Sequence, residues 1–389
     1  MKFKKNNLED WEQLVKKQLK TENIYEILQK DNLENIVVKP YYQNDYEYKI
    51  LPRSEESIHL VAEYQENLTE QAFAFLLSRN VENLEEKTIF IDNPDLAEHI
   101  RTEDSNRYFS LIDVFSDDKN AKINEHLAGE LLSKNFEKNI CVDVSLHQNS
   151  GASIVQQLAV ALAKTKELTE KFGSEILEKL IFKFAIGSNY FFEISKIRAF
   201  KYLFNQLSQE FGKNRIPYIF AETSLRNKTK NDEENNLIRS ALELASAMIG
   251  GSDAIFCNDY KIENSSELSK EISFKQQIVL AYESLINIFE DAASGSYFVE
   301  NITLQFAEKS WKLFLETEEK GGYLEMLESG EIQKIIFENA TKEQTWVEEG
   351  KIKLIGVNLY PKLEVRKTTS ELYNSNEIKP IRLAEMFGV

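Results

Sequence analysis

Short apolar runs alternate with longer amphipathic stretches along most of this chain, and this alternation restricts the fold more than any other feature. Seven runs have the composition of buried strands: 59–64, 88–92, 108–114, 140–144, 180–184, 216–220 and 254–257. The intervening stretches are long enough for the crossover helices that join parallel strands. The clearest of them are 154–168, 192–211, 233–249 and 266–285. The pattern predicts an α/β fold.

Strands of this kind fit either a closed (β/α)₈ barrel or an open doubly wound sheet, because both architectures cover the sheet on its two faces. Periodicity does not choose between them. A barrel needs an eighth strand, and the region 286–289 is the only candidate for it.

The two ends of the chain differ from its middle. Residues 8–28 predict an amphipathic helix within an N-terminal arm (1–45), and its apolar stripe must be buried either on its own barrel or on a partner. The barrel is expected over 46–360. Residues 361–389 are predicted to be a polar linker followed by a short C-terminal segment.

Charge and cysteine usage restrict the partners and the compartment. The chain carries 47 basic and 64 acidic residues, a formal charge of -17, which repels nucleic acid and anionic lipid. No segment has the ~18 continuous apolar residues of a membrane span. Cys141 and Cys257 each lie inside an apolar run, which favours reduced thiols. We therefore expect a cytoplasmic protein with no nucleic-acid or membrane partner.

Barrel enzymes carry their working groups on the loops that follow the strands. Only one histidine, His147, lies in such a position. It fits a general acid or base, or a partly exposed histidine bonded to a neighbour such as Asn149. The four histidines are too widely separated for a metal site.

Two other features have simpler interpretations than a ligand site. Gly250-Gly251 and Gly321-Gly322 each follow a predicted helix and are interpreted as helix-ending turns with positive φ, because a phosphate loop would lie between strand and helix. The charges of Glu193, Lys196 and Arg198 have the spacing of an exposed helix face, so we predict that they are solvated.

A series of short motifs resembles one known family, in that family's order. The motifs are Gly151-Ala152, 155–159, 161–163, 192–199, Thr223-Ser224, Asn235-Asn236 with Arg239, Gly250-Gly251, 295–300 and 356–358. Over about residues 11–360 the chain resembles the methylmalonyl-CoA mutase family. The resemblance implies that the α/β fold is a (β/α)₈ TIM barrel of the substrate-binding type.

The resemblance also implies what this chain lacks. In the family, a cobalamin domain follows the barrel, and its Asp-x-His-x-x-Gly motif supplies the histidine that binds cobalt. None of the four histidines here has an aspartate two residues before it. We therefore expect no cobalamin-binding domain and no cofactor bound by this chain, with adenosylcobalamin held by a partner subunit.

Several positions depart from the family's catalytic pattern. The active-site histidine falls on Leu146, although a slip of one residue would place His147 there. Two further barrel histidines correspond to Phe220 and Phe256. The arginine and serine that help to bind the CoA ester correspond to Lys179 and Ile181. The family's long segment over the substrate, ahead of the first strand, is missing.

Heterodimeric members of the family pair a catalytic large subunit, which interconverts methylmalonyl-CoA and succinyl-CoA, with a non-catalytic small subunit of the same fold. With these changes the chain resembles that small subunit, and the resemblance implies the same role. No catalytic residue is predicted apart from the weak candidate His147. The candidate substrate-binding residues are Lys179, Thr223, Ser224 and Asn258.

Two alternatives stay open at this point. One is an independently active barrel enzyme that uses His147, Glu222 and Asp259, and it fails if Phe220, Phe256 and Leu146 fill the barrel centre. The other is an acyl-CoA-binding module that uses Lys179 and the polar groups at the strand ends.

Overall fold

A computed structural model describes residues 6–43, 48–81, 84, 86–100, 107–361 and 371–388. Its strands are β1 (His59–Glu63), β2 (Ala74–Leu77), β3 (Thr88–Ile91), β4 (Tyr108–Ser110), β5 (Phe115–Ser116), β6 (Lys122–Ile123), β7 (Ile140–Asp143), β8 (Leu180–Ile186), β9 (Tyr218–Thr223) and β10 (Ala254–Phe256). Its helices are α1 (Leu8–Leu19), α2 (Ile24–Leu28), α3 (Pro94–His99), α4 (Glu125–Ser133), α5 (Ser145–Asn149), α6 (Ile154–Phe172), α7 (Tyr190–Glu210), α8 (Glu234–Gly250), α9 (Glu267–Ile278), α10 (Tyr297–Glu319), α11 (Gly322–Glu328) and α12 (Glu331–Glu348).

Eight of the strands form one parallel sheet in the order β4-β3-β2-β1-β10-β9-β8-β7. Single bridges from Phe109 to Lys138 and from Asp113 to Cys141 join β4 to β7, so the sheet closes on itself. The remaining strands, β5 and β6, form a small antiparallel hairpin. The fold is a (β/α)₈ barrel, and the seven strands predicted from the sequence all belong to it.

The predicted eighth strand is wrong. Residues 286–289 form turns beyond α9, with Ile288 and Phe289 exposed, and the missing strand is β2. No α-helix lies between β1 and β2, which are separated by a single 3₁₀ turn, Glu66–Leu68, and the described residues between β2 and β3 contain no helix. A search for strands separated by amphipathic helices therefore overlooks it.

Alternation along β8 shows how the strands build two cores. Phe182 and Phe184 point outward and pack against Phe200 of α7, with ring centroids 4.7 and 4.9 Å away. Ile181 and Lys183 point the opposite way, because successive side chains of a strand alternate between its faces. The outer core lies between strands and helices, and the inner one fills the barrel axis.

The barrel axis is packed with aromatic side chains. Ring centroids of Phe90 and Phe109 are 4.9 Å apart, those of Phe109 and Tyr218 are also 4.9 Å apart, and Phe90 lies 5.2 Å from Phe220. Phe256 stacks on Phe220 at 6.4 Å. The smaller members of this inner core are Val61, Ala74, Leu111, Cys141, Ile181 and Ala254.

Close approach of α12 explains one glycine of the family motifs. Gly151 has φ +100°, and a Cβ there would lie 2.5 Å from the Cβ of Ala340. Any other residue would therefore separate α12 from the start of α6. The Gly250-Gly251 and Gly321-Gly322 pairs do follow helices, with φ +84° at Gly251 and +100° at Gly321, as predicted.

The N-terminal arm lies partly on its own barrel. Val37 exchanges two hydrogen bonds with the Gln305 side chain of α10 (2.8 and 2.9 Å), and Ile24 and Ile36 are buried. In contrast, α1 contains no buried residue, although Trp11 stacks on Tyr41 at 5.4 Å. Among the described residues, no helix is long and apolar enough to cross a membrane.

Candidate functional site

A cavity of about 670 Å³ opens at the carboxyl ends of β7, β8 and β9. We call it the mouth cavity. Its floor is formed by residues that directly follow these strands or begin α6, and its walls come from the arm, α12 and the loop after α12. The polar lining residues of the floor are Gln148, Ser153, Gln157, Ser188, Asn189, Glu193, Ser224, Arg226 and Asn227. Ser224 is the one predicted substrate-binding residue that lines it.

Hydrogen bonds between loops hold the floor in place. The Ser224 hydroxyl donates to Gln148 Oε1 (3.0 Å), and Asn149 Oδ1 accepts from the Leu225 backbone N–H (2.9 Å). Asn227 Nδ2 donates to Ser188 Oγ and to Glu243 Oε1, both at 2.6 Å. The loops after β7, β8 and β9 are thus joined into one surface.

Buried charges on α7 lie in this floor and behind it. Glu193 Oε2 and Lys196 Nζ are 2.5 Å apart, and Lys196 also donates to the backbone oxygen of Ala185 (2.7 Å). Arg198 forms ion pairs with Asp291 and Glu300, and all three side chains are buried. The prediction of a solvated face for Glu193, Lys196 and Arg198 is wrong, because all three side chains are buried. Lys196 is turned toward β8 and α6, and Arg198 pairs with Glu300 of α10.

The arm contributes a carboxylate to the wall of the cavity. Glu34 accepts hydrogen bonds from the backbone N–H groups of Ile154 (2.9 Å) and Val155 (3.2 Å), at the N-terminus of α6. Burial raises the pKa of Glu34 to about 7, while the two backbone hydrogen bonds oppose that rise. This contact spans 120 residues of sequence, so no local pattern could have revealed it.

A second charged group lies inside the barrel, above the aromatic rings. Lys183 Nζ is 3.3 Å from both Asp143 Oδ2 and Glu222 Oε2. Burial disfavours the charged form of Lys183, but Glu222 and Asp143 outweigh it and raise the pKa of the lysine. Lys183 therefore stays protonated at neutral pH and is a poor nucleophile.

His147 is fully buried, which corrects the expectation of a partly exposed residue bonded to Asn149. Its Nε2 lies 2.9 Å from the Tyr323 hydroxyl, which donates to Asp117 Oδ1 at 2.8 Å. Because the tyrosine proton goes to Asp117, the proton of the imidazole belongs on Nε2. Burial lowers the pKa of His147 to about 4, so the ring is neutral, and it does not line the mouth cavity.

The other candidate residues do not converge with His147. Glu222 pairs with Lys183, while Asp259 Oδ2 accepts from the Ser265 and Ser269 hydroxyls at 2.5 and 2.6 Å. Leu146 lies on α5, half-buried and outside the axis, so only Phe220 and Phe256 of the three expected side chains fill the barrel centre.

The four candidate substrate-binding residues lie at opposite ends of the barrel. Thr223 is the last residue of β9, Ser224 follows it, and Asn258 follows β10, so these three lie at the carboxyl end. Thr223 Oγ1 accepts a hydrogen bond from the backbone N–H of Asn258 (2.9 Å). Lys179 directly precedes β8. A strand of this length places it about 20 Å from the carboxyl end. The packed axis separates the two groups, so they do not form one site.

The C-terminal segment folds back over the carboxyl end of the barrel. Arg226 Nη1 donates a hydrogen bond to the backbone oxygen of Ile381 (2.8 Å). The backbone oxygen of Arg226 accepts one from the backbone N–H of Leu383, also at 2.8 Å. Arg226 Nε also pairs with Glu343 Oε2 at 2.6 Å. Leu383 and Phe387 belong to a small apolar core with residues after α12.

Known proteins similar to this chain agree on one family. The methylmalonyl-CoA mutase family model matches residues 130–386, more than half of the chain. A methylmalonyl-CoA mutase small subunit from Porphyromonas gingivalis is 35% identical over 226 residues, which cover 55% of this chain and 37% of that protein. A methylmalonyl-CoA mutase from Rhizobium meliloti is 32% identical over 225 residues, covering 55% of this chain and 32% of its own length.

The same comparison finds a methylmalonyl-CoA mutase large subunit from Porphyromonas gingivalis. It is 29% identical over 245 residues, which cover 59% of this chain and 34% of that protein. The matched part of the chain thus spans only about a third of the length of these relatives.

Proposed function

The chain belongs to the methylmalonyl-CoA mutase family, and from that premise we propose that it is the non-catalytic small subunit of a heterodimeric methylmalonyl-CoA mutase. In this proposal the large subunit interconverts methylmalonyl-CoA and succinyl-CoA, and this chain stabilises it. The observation that carries the proposal is that aromatic side chains and smaller apolar ones fill the barrel axis.

A packed axis leaves no room for a substrate chain. Phe220 has no exposed surface and Phe256 has 8%, and their rings stack inside the barrel. Closely packed protein interiors contain few voids larger than a water molecule. An acyl group could enter only if several rings moved together. The barrel therefore works better as a scaffold than as a container for substrate.

The residues at the carboxyl end do not fit a cobalamin. In the family, the imidazole that binds cobalt comes from the cobalamin domain, and no described residue that lines the mouth cavity is a histidine that could replace it. His147 is buried against Tyr323, and His59 lies in the axis with Nδ1 2.8 Å from the Tyr218 hydroxyl. No metal-binding group of three or more His, Cys, Asp or Glu side chains occurs in the part of the chain that the structure describes. We propose that adenosylcobalamin binds the large subunit instead.

Two observations support a partner. Porphyromonas gingivalis has both a small and a large mutase subunit similar to this chain. In addition, helix α1 leaves its apolar stripe outside the core, with Leu14 and Leu19 exposed. Burial of such a stripe on another subunit would stabilise the assembly.

We also propose a cytoplasmic location for the complex. Cys141 and Cys257 are both buried free thiols, which suits a reducing compartment.

Co-expression with the large subunit of the same organism tests the assignment. The two chains should co-elute in size-exclusion chromatography as a 1:1 complex, whose mass is checked by light scattering. Separate elution at micromolar concentrations would contradict the proposal. Replacing the large subunit by an unrelated barrel protein of similar size provides the control.

A further inference from the structure

Large apolar side chains are exposed where α9 ends, at the amino-terminal end of the barrel. Tyr282 is 65% exposed, Ile288 59% and Phe289 68%, and Val279 and Leu285 next to them are also exposed. We call these five residues the α9 face. Single exposed apolar residues are ordinary, but five within eleven positions of the chain are a surface patch.

The backbone of the α9 face is unusual as well. A π-helical turn, Val279–Glu283, follows α9, and Leu285 has φ +54°. A leucine in the left-handed region is strained, and π turns are often found at functional sites. Such a conformation persists only where neighbouring residues fix the backbone.

Contacts with the residues ahead of β1 fix the backbone of the α9 face. Arg53 donates to the backbone oxygen of Asn287 (3.5 Å), and the Leu51 backbone N–H donates to Asp291 Oδ2 (2.9 Å). Asp291 is also bound by the buried Arg198. The apolar side chains are therefore displayed on a preformed surface, which lowers the entropic cost of binding a partner.

The size of the α9 face suits the centre of a protein interface. Two aromatic side chains, each about two-thirds exposed, present on the order of 100–150 Å² apiece. With the three aliphatic side chains the face reaches several hundred Å², near the upper range for a monomer, while a stable interface buries about 800 Å² per partner. The face is thus large enough for an apolar core and needs a polar rim.

Charge selects the kind of partner. Glu283 lies within the face and Glu290 at its end, and both carboxylates are exposed. In a symmetric dimer of this chain, the same carboxylates would approach their own copies, and each copy carries a formal charge of -17. A different protein with lysine or arginine around an apolar patch fits better.

We propose that the α9 face is the surface on which this chain binds the mutase large subunit, through an apolar patch rimmed by basic residues. This inference rests on the proposed function, since it names the contact surface of that partner. It assigns Tyr282 and Phe289 as the central anchors, because aromatic residues dominate the energetics of such interfaces.

The test measures the dissociation constant between this full-length chain and the large subunit by biolayer interferometry. Phe289→Ser and Tyr282→Ser should each weaken binding by about 30-fold or more. Leu315→Ser removes an apolar residue of α10 that is 46% exposed and should change binding less than threefold. Glu290→Lys should weaken binding and reverse its dependence on salt. Because all these side chains are exposed, melting temperatures should stay within about 2 °C of the unchanged protein.

The outcomes separate the two proposals. If the unchanged chain binds and the Phe289 and Tyr282 variants bind equally well, the α9 face is wrong while the small-subunit function stands. If the unchanged chain does not bind at all, both proposals fail. If this chain alone forms a dimer that Phe289→Ser disrupts, the face binds a second copy, and the choice of partner is overturned.

Discussion

Truncation of Phe220 to alanine removes a ring from the middle of the barrel axis. That ring has no exposed surface and contacts Phe90 at 5.2 Å and Phe256 at 6.4 Å between centroids. Loss of its burial costs about 2 kcal/mol. If roughly 80 Å³ of the vacated space stays open, the cavity adds about 2 kcal/mol at 24 cal/mol per Å³. The free energy of unfolding should therefore fall by about 4 kcal/mol.

Urea denaturation followed by circular dichroism measures this loss. Phe289→Ala is the matched control, since it deletes the same atoms from a side chain that is 68% exposed, and it should cost less than about 1 kcal/mol. A loss below 1 kcal/mol for Phe220→Ala would mean that the axis is loosely packed or hydrated. The argument that the barrel excludes substrate would then be refuted.

Two further predictions concern the tail and a buried lysine. Arg226→Met should lower the free energy of unfolding by about 2–3 kcal/mol, because it removes the charged hydrogen bond to the C-terminal segment. Hydrogen exchange at the Ile381 and Leu383 amides should become faster. Unchanged exchange would show that other contacts hold this segment. Burial lowers the pKa of Lys201 from 10.5 to about 8, so the stability of the folded state is greatest above pH 10.5 and falls as pH drops from 10.5 to 8, where the unfolded lysine is protonated first. As pH rises from 8 to 10.5, the stability of the unchanged protein should therefore increase relative to Lys201→Met by up to about 3 kcal/mol. A constant difference across that range, in urea titrations, would contradict this.

The strands of the barrel were predictable where they alternate with helices. β8 and β9 have helices long enough to be recognised on both sides, and their residues are continuously apolar. β2 has only four residues, and the described residues that connect it to β1 and β3 contain no α-helix, so its pattern matches that of a loop. The run 286–289 resembles a strand in sequence, because exposed apolar residues on a surface and apolar residues in a strand have the same composition.

The site was less predictable, because it depends on contacts between distant elements. The residues aligned with family histidines at 220 and 256 do lie in the axis, since both positions point inward from adjacent strands. The burial of Arg198 depends on α10, because its partner Glu300 lies about a hundred residues away. The hydrogen bonds of Glu34 with the start of α6 and of Arg226 with the backbone of Ile381 also join residues far apart in the sequence.

Adenosylcobalamin-dependent mutase turnover tests the central claim most directly. It is measured with methylmalonyl-CoA for this chain alone, for the large subunit alone, and for both together. We expect no turnover from this chain at any cofactor concentration, and turnover in the mixture that depends on the large subunit. Turnover of methylmalonyl-CoA by this chain alone would contradict its assignment as a non-catalytic subunit.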